Sequence, residues 1–256
     1  MLNFHKCIFF TFIIQLKESF KMSCSNIQTR KSSDTKNVQE IDDTQTHNKE
    51  KKNMSMVLQQ MPEFKMKGYD AKSAHFVDIN SEDYRGNWAV VCFYPADFTF
   101  VCPTEIAAMN AHMNIIEGEL GVKVLAVSTD THFSHKRFHE TEPLLKDLTM
   151  TIGADPTGEV ARKFGVYIEE QGIALRGRYL INPDGVIVAE EVQAPMVGRN
   201  VKEFIRQIRA WQHATKTGEV CPAGWDIGKK TLPVNTDEEK MTGRVGDYIT
   251  IEEIVS

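Results

Sequence analysis

An α/β protein, with one central sheet of mixed direction and helices on both of its faces, is the fold this sequence predicts. Three observations carry that expectation. Apolar runs of strand length alternate with helical patterns between Ala89 and Trp211. The last two strand-like runs flank Asn182-Pro183-Asp184-Gly185, a tight-turn signal, so they should pair as a hairpin. The composition, 41% hydrophobic and 25% charged, is that of an ordinary globular chain.

The elements follow in order. Residues 8–14 form a short apolar run behind His5 and Lys6, too few to span a bilayer and at the lower limit for a signal-peptide core. Residues 23–53 are polar, with almost no apolar side chains to offset the entropy of ordering them. Residues 1–55 are therefore expected to be a disordered extension or a targeting segment, with an upstream start before Met54 or Met56 as the plainer alternative. The folded body is expected to begin near Leu58. Residues 89–94 have the β-branched and aromatic character of a buried strand, which Pro95 ends because it cannot donate to a ladder.

A helix is expected over 104–120, where Ile106, Met109, Met113, Ile116 and Leu120 share one face. Residues 122–127 make a second strand, and 133–148 a polar helix. Residues 150–152 make a short strand, and 156–164 a short helix closed by Gly165. Strands over 173–175 and 176–181 lead through the turn to 186–192. Val201, Phe204, Ile205, Ile208 and Trp211 stripe a last amphipathic helix. Parallel neighbours joined through helices and a terminal hairpin describe a thioredoxin-like fold over 56–215, followed by a C-terminal arm over 216–256.

Charge and cysteine usage narrow the chemistry. The net charge is −5, and no Lys/Arg block interleaves with aromatics, so nucleic acid and anionic membrane surfaces are poor partners. The five cysteines, Cys7, Cys24, Cys92, Cys102 and Cys221, are odd in number and widely spaced. That pattern points to a reducing compartment with one or two reactive thiols rather than to a disulfide framework. Cys92, within an apolar strand, reads as a core thiol, and Cys7 and Cys24 receive no role. His132, His135 and His139 share a helix face, but no accompanying pattern matches a zinc motif, so a solvated, interfacial face is expected and no metal site.

Cys102 differs from the other cysteines. It lies beyond a strand, with Thr99 before it and Pro103-Thr104-Glu105 after it. Proline suits a first helical turn, where its missing N–H would have no partner. A helix N-terminus carries partial positive charge, which favours a thiolate. No Cys-x-x-Cys spacing exists, which disfavours a dithiol oxidoreductase.

At these residues the sequence resembles the peroxiredoxins. The family signature Pro-x-x-x-Thr-x-x-Cys stands here as Pro95, Thr99 and Cys102, inside Asp-Phe-Thr-Phe-Val-Cys-Pro-Thr-Glu. Gly-Glu-Val-Cys-Pro-Ala-Gly-Trp, around Cys221, resembles the resolving-cysteine segment of the typical two-cysteine, alkyl hydroperoxide reductase subgroup. Leu175-Arg176 and the strand that follows resemble the segment carrying the family's catalytic arginine.

The resemblance implies a thiol peroxidase for hydrogen peroxide and alkyl hydroperoxides, with Cys102 peroxidatic and Cys221 resolving. It assigns Arg176, Thr99 and Pro95 to the peroxide site. Glu105 could orient an arginine, with Arg199 as a possible partner, although a surface ion pair would explain both. No haem, flavin or metal cofactor is implied. The implied partners are thioredoxin or a flavoprotein disulfide reductase as electron donor, and a second copy of the chain, in a homodimer or a decamer. A cytoplasmic location is expected, with export through the extension as the alternative. A ring-forming holdase or redox relay is a second implied activity. The Gly-Gly-Leu-Gly loop of over-oxidation-prone relatives is missing between His139 and Ile152, and Tyr248-Ile249 replaces their C-terminal Tyr-Phe. Cys102 is therefore expected to resist over-oxidation.

Overall fold

The computed structural model describes residues 55–232 and 245–255. The expected N-terminal extension, with Cys7 and Cys24, falls outside them apart from Ser55. The strands are β1 (Lys65–Asp70), β2 (His75–Asn80), β3 (Trp88–Phe93), β4 (Val122–Ser128), β5 (Thr151–Ala154), β6 (Tyr167–Ile168), β7 (Ile173–Ala174), β8 (Arg176–Ile181) and β9 (Ile187–Gln193). The α-helices are α1 (Cys102–Asn110), α2 (His132–Thr141), α3 (Glu159–Lys163), α4 (Val201–Thr217) and α5 (Ile251–Val255).

Seven strands form one sheet in the order β2-β1-β5-β4-β3-β8-β9, and β6 pairs with β7 separately. The centre, β3-β4-β5, is parallel, while β1, β2, β8 and β9 each run antiparallel to their neighbours. This is the mixed, thioredoxin-like sheet expected from the sequence. Parallel strands need crossover connections, and helical segments supply them after β3 and β4. β3 lies at the centre because its residues suit burial from both sides: Ala89, Val90, Val91 and Phe93 are fully buried. On one face Val90, Val124 and Ile152 pack with Met109, Ile116, Phe204 and Ile208. On the other, Val91, Leu125 and Ile181 pack with Phe164 and Tyr179. Phe164 touches the rings of Phe64, Phe93 and Tyr179, so truncating it to alanine would cost about 3–5 kcal/mol.

The last helix shows how local chemistry sets its limits. Asn200 caps α4 by accepting from the backbone N–H groups of Lys202 and Glu203. Gly218 ends it at φ 73°, a left-handed geometry that glycine adopts without a Cβ penalty. Val201, Phe204, Ile205 and Ile208 are its buried stripe.

Four sequence expectations change. The β1–β2 pair lies ahead of the first expected strand. The helix expected over 104–120 is broken: α1 stops at Asn110, and a π-helical turn, Asn114–Glu119, follows. Met109, Met113 and Ile116 still face the core across the break, which is why the apolar spacing looked continuous. The helix expected over 133–148 ends at Thr141, because Pro143 disfavours helical geometry in the residue before it and opens a 3-10 turn, Pro143–Leu145. The helix expected over 156–164 is confined to α3. Among the described residues, no helix is long and apolar enough to cross a membrane.

Candidate active site

Pro95 is buried just past β3, and the chain loops from there into α1. Cys102 is the first residue of that helix, with Pro103 next, and its side chain is fully buried. Its sulfur therefore sits at the end of the helix where unpaired N–H groups concentrate positive charge. A guanidinium completes this environment. The Nη1 of Arg176, from the first position of β8, lies 3.4 Å from the Cys102 Sγ.

Arg176 is held from two sides. Its Nε and Nη2 donate to the Pro195 carbonyl at 2.9 and 2.6 Å, and its Nη1 donates to Glu105 Oε2 at 2.6 Å. Glu105, one helical turn after Cys102, also accepts from Arg199. The backbone N–H of Arg199 lies 2.8 Å and its Nε 2.9 Å from Oε1, and its Nη2 lies 3.3 Å from Oε2. The ion pair weighed for Glu105 and Arg199 is thus not on the surface: both residues are buried. Burial pushes the Glu105 carboxyl up, but the hydrogen bonds and charge of Arg199, with the charge of Arg176, outweigh it. The carboxyl is held below its usual range. Arg199 Nη1 also donates to the Gly177 carbonyl at 2.6 Å. A Cβ at Gly177 would come within 2.8 Å of the Val166 side chain, so a side chain there would force its neighbours to shift.

Thr99 is placed differently from its expected neighbours. It is exposed, and its hydroxyl donates to the Ala96 carbonyl at 2.9 Å rather than to the sulfur. The loop holding it is anchored through Asp97. Asp97 accepts from the Tyr94 hydroxyl and the Ser134 hydroxyl, each at 2.7 Å, and from His135 Nδ1 at 2.9 Å. Its own N–H donates to Asp130 at 2.8 Å. One residue on, Phe98 takes φ 55°, a strained geometry for an aromatic residue, and leaves its ring against Phe138.

His135 corrects the reading of the histidine face. It is fully buried, with Nε2 on the Gly153 carbonyl, and His139 Nδ1 bonds the Tyr69 hydroxyl. Among the described residues no group of three could hold a metal ion. Asp97 and His135 were missed as site residues. The available signal was His135 and Phe138 at i, i+3 on one helix face, a core spacing.

Cys221 follows α4 in the arm. It is half-buried, and its Sγ contacts the Ala210 carbonyl at 3.5 Å. Burial and the nearby Glu219 charge push its thiol up. It borders a groove of about 420 Å³, lined by Arg206, Ala210, Trp211 and Ala214 of α4 and by Pro222. Cys102 and Cys221 are both free thiols. The tail is not featureless: Ile249 is buried, Lys230 pairs with Glu253 of α5 at 3.9 Å, and the Ile254 carbonyl approaches Gly224.

Comparison with known proteins places this chain in a family. A model described as the AhpC/TSA family matches residues 57–190, and one described as the C-terminal domain of 1-Cys peroxiredoxin matches residues 210–250. Alkyl hydroperoxide reductase C of Staphylococcus aureus is 42% identical over 185 residues, covering 72% of this chain and 97% of that protein. The crystal structure of Enterococcus faecalis AhpC superposes with a TM-score of 0.62 at 35% identity, covering 65% of this chain and 99% of that one. The reduced 2-Cys peroxiredoxin of Plasmodium vivax superposes with a TM-score of 0.67 at 31% identity, covering 72% and 95%.

Proposed function

The chain belongs to the AhpC/TSA family and is a peroxide-reducing thiol peroxidase, and from that premise we propose a two-cysteine cycle run by Cys102 and Cys221. The observation that carries it is the Arg176 guanidinium at 3.4 Å from a buried sulfur at a helix start. Attack on a peroxide needs the thiolate, and the helix start and the Arg176 guanidinium place two positive features beside the sulfur. The Cys102 sulfur bonds to one peroxide oxygen as the O–O bond breaks. The sulfur becomes a sulfenic acid, and water or an alcohol leaves. Glu105 and Arg199 are positioning residues that aim Arg176. Thr99, released from the Ala96 carbonyl, donates to a peroxide oxygen, and Pro95 shields the sulfur from bulk water.

Resolution requires movement. Cys102 is fully buried, so its sulfenic acid meets Cys221 only if the first turn of α1 unwinds. Cys221 then displaces water to form a disulfide. We assign that bridge to two subunits of a homodimer, within a decamer, with thioredoxin or a flavoprotein disulfide reductase restoring the thiols. Residues 56–215 are assigned as the peroxidase domain, 216–256 as the resolving arm and 1–55 as an extension, in a cytoplasmic protein. The test is substitution. Cys102→Ser should abolish peroxide turnover, and Cys221→Ser should allow one turnover that stalls at the sulfenic acid. Steady-state turnover in Cys102→Ser would overturn the cycle.

A further inference from the structure

Cys92 takes no part in the cycle above, yet its surroundings are not those of an inert core thiol. Alternation along β3 puts Val90, Cys92 and Tyr94 against the same core, beneath α1. Val91 and Phe93 beside it are fully buried, whereas Cys92 is only half-buried.

Directly across the β3–β8 ladder from Cys92 stands Arg178. Cross-strand partners of this kind bring their Cβ atoms to about 4.5–5.5 Å. The Arg178 side chain is only 3% exposed. Its Nη2 is engaged by Glu191 and, at 3.4 Å, by the Asn200 carbonyl, and its guanidinium lies 4.0 Å over the Phe204 ring. Its Nε is buried with no hydrogen-bond partner among the described residues. A buried donor left unpaired loses its hydration with nothing in exchange, so this one calls for an acceptor.

Room for an acceptor exists beside it. Cys92, Tyr94, Glu105, Met109, Arg178 and Arg199 line a cavity of about 20 Å³. A cavity holds a water once it exceeds about 10–15 Å³ measured in this way, so this one suits a molecule little larger than water. Burial weighs against the charge on both arginines that border the cavity. The Glu105 carboxylate also borders the cavity, but both its oxygens are occupied by Arg176 and Arg199.

We propose that Cys92 is a second peroxide-oxidised thiol, whose cavity admits hydrogen peroxide and excludes alkyl hydroperoxides. Its sulfur attacks one peroxide oxygen, forming an S–O bond as the O–O bond breaks. The sulfur loses two electrons and becomes a sulfenic acid. The other oxygen leaves as water, taking up the thiol proton. The sulfenic oxygen then accepts from Arg178 Nε. The inference does not depend on the Cys102–Cys221 cycle and is tested without either thiol.

The experiment uses the full chain carrying Cys102→Ser and Cys221→Ser. It is exposed to hydrogen peroxide, trapped with dimedone and mapped by peptide mass spectrometry, with Cys7 and Cys24 as internal references. Cys92 should label at least tenfold faster than either reference, and cumene hydroperoxide should label it at less than a tenth of the hydrogen peroxide rate. Adding Arg178→Met should slow labelling at least tenfold. Arg178→Lys, which keeps the charge without Nε, should give an intermediate rate and serves where the methionine variant does not fold. Labelling no faster than the references, equal labelling by the bulky peroxide, or a rate unchanged in the folded Arg178 variants would overturn the proposal.

Discussion

Replacing Glu105 by glutamine should damage both stability and peroxide reactivity, and the structure sets the size of each effect. Glu105 takes four hydrogen bonds, at 2.6 Å from Arg176 and at 2.8, 2.9 and 3.3 Å from Arg199. Glutamine keeps the volume but removes the charge and turns an NH2 group toward a guanidinium. Two buried cations then lose their counter-charge, and removing one member of a buried pair costs about 3–5 kcal/mol. In urea, with a slope near 2 kcal/mol/M, the midpoint should fall by about 1.5–2.5 M.

The pH dependence of this contribution has a definite sign. The folded carboxyl is held below its usual value of 4.5. Its contribution is therefore complete above that value and disappears as pH falls through the lower folded one. Glu105→Gln should flatten this acid limb of the stability curve. Loss of the bond that aims Arg176, charge-assisted and so worth about 1.5–3 kcal/mol, should slow the reaction with hydrogen peroxide roughly ten- to hundredfold in stopped flow. A variant within 1 kcal/mol of wild type that reacts at the wild-type rate would refute this reasoning.

Other outcomes follow from the same geometry. Asp97→Asn removes the charged acceptor for Tyr94, Ser134 and His135, and should cost about 1.5–3 kcal/mol in urea unfolding while slowing peroxide reduction. Because burial and Glu219 push the Cys221 thiol above its usual 9.0, disulfide formation measured by rapid quench should accelerate as pH rises past 9. Glu219→Gln should speed that step at pH 7. Cys102 should withstand millimolar hydrogen peroxide over many turnovers, and inactivation after a few would contradict the reading of the missing Gly-Gly-Leu-Gly loop.

Features encoded within one short stretch were legible in the sequence, and features made by pairing distant stretches were less so. The β3 run, the Pro103 helix start and the Asn182–Gly185 turn are local, and the mixed sheet they imply is found, widened by β1 and β2. β1 was harder to see, because Lys65, Lys67 and Gly68 dilute a short run whose two large apolar residues, Met66 and Tyr69, face opposite sides of the sheet and give no alternation. The break after Asn110 left the apolar spacing intact and so gave no signal. At the site, Cys102 at a helix start is a local fact. The convergence of Arg176 and Arg199 on Glu105 depends on the meeting of α1, β8 and the segment before α4, which no local pattern records. His135 was misread because histidine on a polar helix looks solvated until its partners, Asp97 and Gly153, are in place. Arg178 gave no separate signal either, since its environment depends on the register that sets it opposite Cys92.

The most direct test of the two-cysteine cycle is a single turnover of reduced protein with one equivalent of hydrogen peroxide, followed by non-reducing electrophoresis and peptide mass spectrometry. The account predicts a covalent dimer joined by Cys102 and Cys221, lost in either serine variant, with Cys221→Ser holding a trappable sulfenic acid at Cys102. Peroxide consumption by the unsubstituted protein that leaves Cys102 unmodified, or a Cys221-linked covalent dimer that still forms in Cys102→Ser, would contradict it.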